Sequence, residues 1–296
     1  MQPNPVLKKL GFSEKDRVVI IHADDIGMSQ SSLTAYADLL DFGLVSSAAT
    51  MVPCGWFPAT AAFCREHPEA DMGVHITLTC EWDAYRWPPL STVDPASGLL
   101  DSEGYLPRAS REVQEKGDPA AVGAEIEAQI ARALAAGVDA THIDSHMGSV
   151  FHPKFLPLYM QIGLKHRLPP FMLRWDREQI KKERGMDDET AQATARMIEI
   201  LEEQGIPLFD GIGGMPLEGE KPLELAQEQL NALPPGLSVF IIHPSHDTPE
   251  LRAVATDWPA RVADYQLFSS EKLRDFIREQ GIQVIGYRPL RDLLRQ

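Results

Sequence analysis

Cysteine is scarce: Cys54, Cys64 and Cys80 are the only three in 296 residues, and no two form a Cys-x-x-Cys pair. An odd, scattered set argues against both a disulfide framework and a cysteine zinc knot, so reduced thiols filling the core are expected. Long apolar runs are missing too. No stretch approaches the roughly eighteen residues of a spanning helix, and the opening MQPNPVLKKLGF lacks the apolar segment of a secretory signal, so a cytoplasmic location is expected. Positive charge is in short supply, with 28 Lys and Arg against 43 Asp and Glu and a net charge of −15. Such a field repels phosphate backbones and anionic lipid headgroups, which makes nucleic acid and membrane surfaces poor partners and a neutral or cationic small molecule an easier one. Three catalytic motifs are absent: G-x-x-x-x-G-K-[ST], G-x-S-x-G and H-E-x-x-H. The glycine-rich stretch 210–214 lacks the dinucleotide-binding spacing and reads as a loop. No heptad or apolar helix face selects an oligomeric state, and a homo-oligomer stays compatible with the sequence.

What is present is a globular α/β pattern. The chain is 44% hydrophobic, enough to bury a large core, and its length suits one α/β unit spanning residues 1–296. Strand-like segments recur at Arg17–Ala23, Ser47–Pro53, Met72–Leu78, Ala140–Ile143, Phe171–Leu173, Leu237–Ile242 and Gln283–Gly286. Between most of them lie segments of helical period. The clearest is Pro119–Ala136, with Val122, Ile126, Ile130 and Leu134 at four-residue spacing and Gly137 as a stop; Asp187–Gln204, Pro222–Ala232 and Ser270–Gln280 follow. Alternation of this kind predicts a single-domain barrel of about seven parallel strands, complete or distorted, although an open doubly wound sheet gives much the same pattern. Residues 81–117, with two tryptophans and little periodicity, interrupt the rhythm and read as an inserted loop over a site.

Polar clusters fall where apolar strands stop, which in parallel α/β folds is where ligands bind. RVVIIHADD ends in His22, Asp24 and Asp25; MGVHITL carries His75; THIDSH holds His142, Asp144 and His146; SVFIIHPSHD ends in His243, His246 and Asp247. Two adjacent carboxylates after five apolar residues repel each other unless a cation or proton compensates them, although a helix N-cap would account for one. Strand alternation puts His142, Asp144 and His146 on one face, so a metal-binding imidazole and a carboxylate that orients it can come from one strand end. His75, alone in its strand, is a ligand only in that company. Pro244 holds His243 at its strand tip, where it could serve as a proton donor. Two imidazoles and a carboxylate leave coordination positions open and suit zinc, cobalt or nickel, whereas magnesium prefers oxygen donors. In EWDAYRW, Glu81, Trp82, Tyr85 and Arg86 mix flat aromatics with hydrogen-bonding groups, as sugar subsites do, or pack the loop onto the barrel. Arg174 either holds a substrate oxygen or merely pairs with an acid such as Asp176.

In these residues the chain resembles the YdjC-like carbohydrate deacetylases. HADDIGMS matches the family's N-A-D-D-F-G pattern, GVHITLT its G-[VM]-H-x-x-L-T strand, THIDSH its T-H-x-D-S-H strand and HPS its H-P-G. The resemblance implies a distorted (β/α) barrel related to polysaccharide deacetylases, with a divalent ion, commonly described as magnesium, at the positions of Asp25, His75 and His146. It further implies Asp24 as general base, His243 as general acid, and removal of the N-acetyl group from small N-acetylated sugars such as chitooligosaccharides. The sequence departs from the pattern at His22, at Met147-Gly-Ser-Val, where histidines commonly follow, and at Ser245. Two other readings fit the same residues: a metal-dependent hydrolase of a non-sugar amide or ester, and a metal-binding regulatory protein without turnover.

Overall fold

The computed structural model describes residues 3–296. Seven strands form one sheet: β1 (Arg17–Ile26), β2 (Ser47–Thr50), β3 (Met72–Ile76), β4 (Ile143–Ser145), β5 (Gly211–Gly214), β6 (Gly236–Ile242) and β7 (Gln283–Val284). Their order is β4-β3-β2-β1-β6-β5, every pairing is parallel, and β7 pairs with Val18 and Val19 of β1. A parallel sheet covered on both faces needs apolar residues on both, and β1 is buried from Val18 to Ile26. The sheet curls so far that its two edges nearly meet. Isolated bridges join Ile143 to Pro170 and Leu173 to Phe209, so the segment between them closes the gap from β4 to β5. The expected Phe171–Leu173 strand is thus a seam, and the strand expected at Ala140–Ile143 begins at Ile143.

The expected loop at 210–214 is instead β5, paired with β6 from Gly211 to Gly214. Glycine is needed because the neighbours come so close. A Cβ at Gly211 would lie 2.7 Å from the Pro234 and Ser238 side chains, and one at Gly214 would lie 2.8 Å from the Ile241 carbonyl. Composition alone therefore disguised a strand as a turn.

Helical periodicity carried over closely. The helix Pro119–Ala135 starts with Asp118 accepting from the Ala121 N–H and with Pro119 in its first turn. It buries Val122, Ile126 and Ile130 completely, while Leu134 is exposed. Its buried Glu125 accepts from the backbone N–H groups of Leu90 and Ser91, and its Gln129 pairs with both Thr77 backbone groups. The Glu125 bonds pin the inserted segment at Leu90 and Ser91 to this helix, and the Gln129 bonds tie the helix to the end of β3. Trp87 completes the attachment, buried, with its indole N–H on the Thr79 carbonyl.

Candidate metal centre

At the carboxyl end of β1 the backbone breaks its alternation. Asp25 has φ 63°, and the register with β2 shifts between Ala23 and Ile26. In a regular strand, consecutive side chains point to opposite faces; this left-handed residue lets both Asp24 and Asp25 face His75, whose Nε2 is 3.9 Å from Asp24 Oδ2 and 3.3 Å from Asp25 Oδ1. The N-cap of the next helix, Gln30–Phe42, is supplied by Ser29 in a capping box. Neither aspartate is spent on capping.

Asp25, His75 and His146 converge. Asp25 Oδ1 lies 3.3 Å from His75 Nε2 and 3.1 Å from His146 Nδ1, and this buried oxygen has no hydrogen-bond partner of its own. Each of the three has a second atom held by a fixed partner. His75 Nδ1 is 2.7 Å from Asp144 Oδ1, His146 Nε2 is 3.0 Å from Glu81 Oε2, and Asp25 Oδ2 accepts from the Arg261 guanidinium at 2.8 Å. Imidazoles that bind metal are oriented in this way by a carboxylate on the other nitrogen. An orphaned carboxylate oxygen between two such imidazoles fits a divalent cation, and the donor set suits zinc, cobalt or nickel.

The electrostatics agree with that fit. Burial disfavours the charged form of His146, but Glu81 and Asp25 outweigh it and push its pKa up to about 9. Burial likewise opposes charge on His75, and Asp144 and Asp24 hold its pKa well above the usual imidazole range. Asp25 is depressed well below the usual carboxylate range because His146 and Arg261 overcome its desolvation. The carboxylates that attract these protons would attract a cation in their place.

Asp24 stands beside the trio, its Oδ2 3.8 Å from His243 Nε2. Asp24 and His243 line a cavity of about 330 Å³ whose walls include Phe151, Phe171 and Ile241, a size suited to a small-molecule ligand. His243 is fixed through its backbone N–H, which donates to Asp264 at 2.9 Å; Asp264 in turn accepts from Lys221 at 2.6 Å, both side chains fully buried. Burial lowers the His243 pKa, against the pull of Asp25 and Asp24.

Several residues take places the sequence does not announce. Glu81 holds His146, and Trp82 lies 5.7 Å from the Arg261 guanidinium. Tyr85 accepts from the Gly55 N–H with its hydroxyl, and Arg86 turns into its own loop to pair with Asp101 and the Leu106 carbonyl. Arg174 is buried against Glu202 and Asp210 and is not among the residues lining the cavity. Arg261 was invisible in sequence, since an arginine within WPARVADYQLF reads as an ordinary helix-surface residue. Among the described residues, no helix is long and apolar enough to cross a membrane.

The profile of the YdjC-like protein family matches residues 18–279. The chain belongs to this family. Within it, a carbohydrate deacetylase of Thermus thermophilus is 30% identical over 98% of this chain and 99% of its own length. A chitooligosaccharide deacetylase of Serratia marcescens is 29% identical over 56% of this chain and 62% of its own. The YdjC-like chain also superposes with a TM-score of 0.77 on a crystal structure from Enterococcus faecalis described as a candidate cellobiose-phosphate cleavage protein. That alignment covers 93% of this chain and 99% of the other at 21% identity, and it supports the curled parallel α/β half-barrel.

Proposed function

We propose that the protein hydrolyses the acetamide of small N-acetylated sugars at this centre and releases acetate. The observation that carries the reading is the placement of Asp24 and His243, 3.8 Å apart, on the wall of a ligand-sized cavity beside the Asp25–His75–His146 trio. Relatives named as carbohydrate and chitooligosaccharide deacetylases support sugar as the substrate class. A divalent ion in the trio would supply Lewis-acid chemistry, making water more acidic and stabilising negative charge on the acetamide oxygen.

The protein's own groups then divide the proton transfers. Asp24 takes a proton from the attacking water. His243 delivers one to the departing nitrogen, which cannot leave as an amide anion. Burial lowers the His243 pKa, so its imidazolium surrenders that proton readily. Arg261, Asp144 and Glu81 hold the trio in position without touching the reacting atoms. The test is acetate release from chitobiose and other N-acetylated mono- and oligosaccharides by zinc- or magnesium-loaded protein, set against acetylated non-sugar amides and esters. Turnover confined to the non-sugar panel, or turnover of nothing, overturns the reading.

A further inference from the structure

We infer that His22 and Asp144, on the wall of the same cavity, form a second divalent-cation site with the buried His142 beside them, suited to an ion of the zinc, cobalt or nickel kind. One ligand atom from each of these buried residues lies within 4.8 Å of the other two. None of them belongs to the Asp25–His75–His146 trio.

The strongest indication is His142. It is fully buried, its Nδ1 is 3.0 Å from the Thr141 hydroxyl, and its Nε2 has no hydrogen-bond partner. A buried imidazole nitrogen left unpaired is costly. The ring cannot rotate to cure this, because it stacks on Tyr287 at 3.6 Å with 12° between planes, and on another side a Cβ added at Gly73 would collide with it. His22 approaches from β1 with its ring 4.9 Å from that of His142. Its Nε2 lies 2.9 Å from Asp144 Oδ2 and 3.1 Å from Asp24 Oδ1, another buried oxygen without a hydrogen-bond partner.

Charge balance points to the same place. Asp24, Asp25, Asp144 and Glu81 have one Lys or Arg ion pair among them, that of Arg261 with Asp25, and Arg261 also pairs with Asp257. One divalent ion in the trio still leaves Asp24 and Asp144 with only histidines as ion-pair partners among the described residues, and both lie against His22. Asp144 can serve both sites at once, since Oδ1 engages His75 while Oδ2 faces His22. His22 and Asp144 line the open cavity, which gives an ion a route in. Two imidazoles and one carboxylate form a borderline donor set.

The inference does not depend on the identity of the substrate, and its test reads metal rather than turnover. Full-length protein is stripped with a chelator, reloaded with zinc alone, freed of excess and assayed for zinc per chain. About two ions are expected in the wild type. His22→Asn and His142→Gln should each bind about one, and Asp25→Asn should lose the other while keeping this one. Far-UV circular dichroism confirms that each variant folds, and anomalous diffraction of the zinc-loaded wild type should show a peak between His22, His142 and Asp144. One zinc per wild-type chain, with His22 retaining a proton instead, overturns the inference; so does a second zinc that survives both the His22 and His142 substitutions.

Discussion

Glu81 offers the sharpest test of how the trio is held. Its carboxylate is 3.0 Å from His146 Nε2, on the opposite side of the ring from the nitrogen that faces Asp25, and a residue in that position fixes the tautomer of a metal ligand. A charge-assisted hydrogen bond contributes about 1.5–3 kcal/mol and a neutral one about 0.5–1.5. Glu81→Gln keeps an acceptor and loses about 1–1.5 kcal/mol, so zinc affinity should fall roughly 5- to 10-fold. Glu81→Ala loses the whole interaction, and affinity should fall roughly 10- to 100-fold. The pH dependence adds a second signature. Glu81 also helps raise the His146 pKa to about 9, so at pH 7 a proton competes with the ion in the wild type, and removing Glu81 weakens that competition. As pH rises the wild type therefore gains more affinity than the variants, and the gap between them should widen from pH 7 to pH 8.5. Zinc competition against a chromophoric chelator at both pH values measures this. Unchanged zinc affinity with a raised KM for sugar would refute the argument and make Glu81 a substrate contact.

Four further outcomes follow from the same geometry. Asp24→Asn should keep zinc in the trio and lose about 10²- to 10⁴-fold in acetate release; full activity would remove Asp24 from the role of base. His243→Gln should lose a similar factor on N-acetyl sugars but far less on an activated aryl acetate, whose leaving group needs no proton; equal losses on both would show that His243 does not act as the acid. Arg261→Met strands the buried Asp25 carboxylate and the half-buried Asp257 carboxylate, each of which Arg261 contacts at 2.8 Å. In metal-stripped protein this should cost about 3–5 kcal/mol, a drop of roughly 6–10 °C in melting temperature, and a shift under about 2 °C would contradict it. Gly73→Ala pushes a methyl group into the immobile His142 ring and should destabilise the fold by about 1–3 kcal/mol in urea titration, with no effect expected if that ring can move.

Much of this was readable from the chain because burial imposes period. Helix 119–135 declared itself through Val122, Ile126 and Ile130, and the central strands through runs that are apolar on both faces. Polar residues at the ends of such runs also stood out, since an aspartate pair after VVII has no reason to exist in a core. What stayed hidden depended on contacts between distant segments. Gly211–Gly214 becomes a strand only because β6 passes too close for side chains. Arg261 gains meaning only when its helix lies against the tip of β1, 236 residues away in sequence. Glu81 and Arg174 both read in sequence as candidates for touching substrate, yet one reaches a histidine of the centre and the other sits among acids elsewhere.

The seam between Pro170 and Leu173 separates two mechanical tasks. Asp24, Asp25, His75, Asp144 and His243 sit on or next to β1, β3, β4 and β6, within the continuous run of paired strands. At the gap itself, the seam provides Phe171 and the edge strand β5 provides Ile212, both cavity wall and neither a ligand. Two lone bridges are easier to part than a full ladder. Breathing at that edge would therefore change the girth of the chamber, and so the size of guest it admits, while the distances among the chemical groups stay set by the unbroken side.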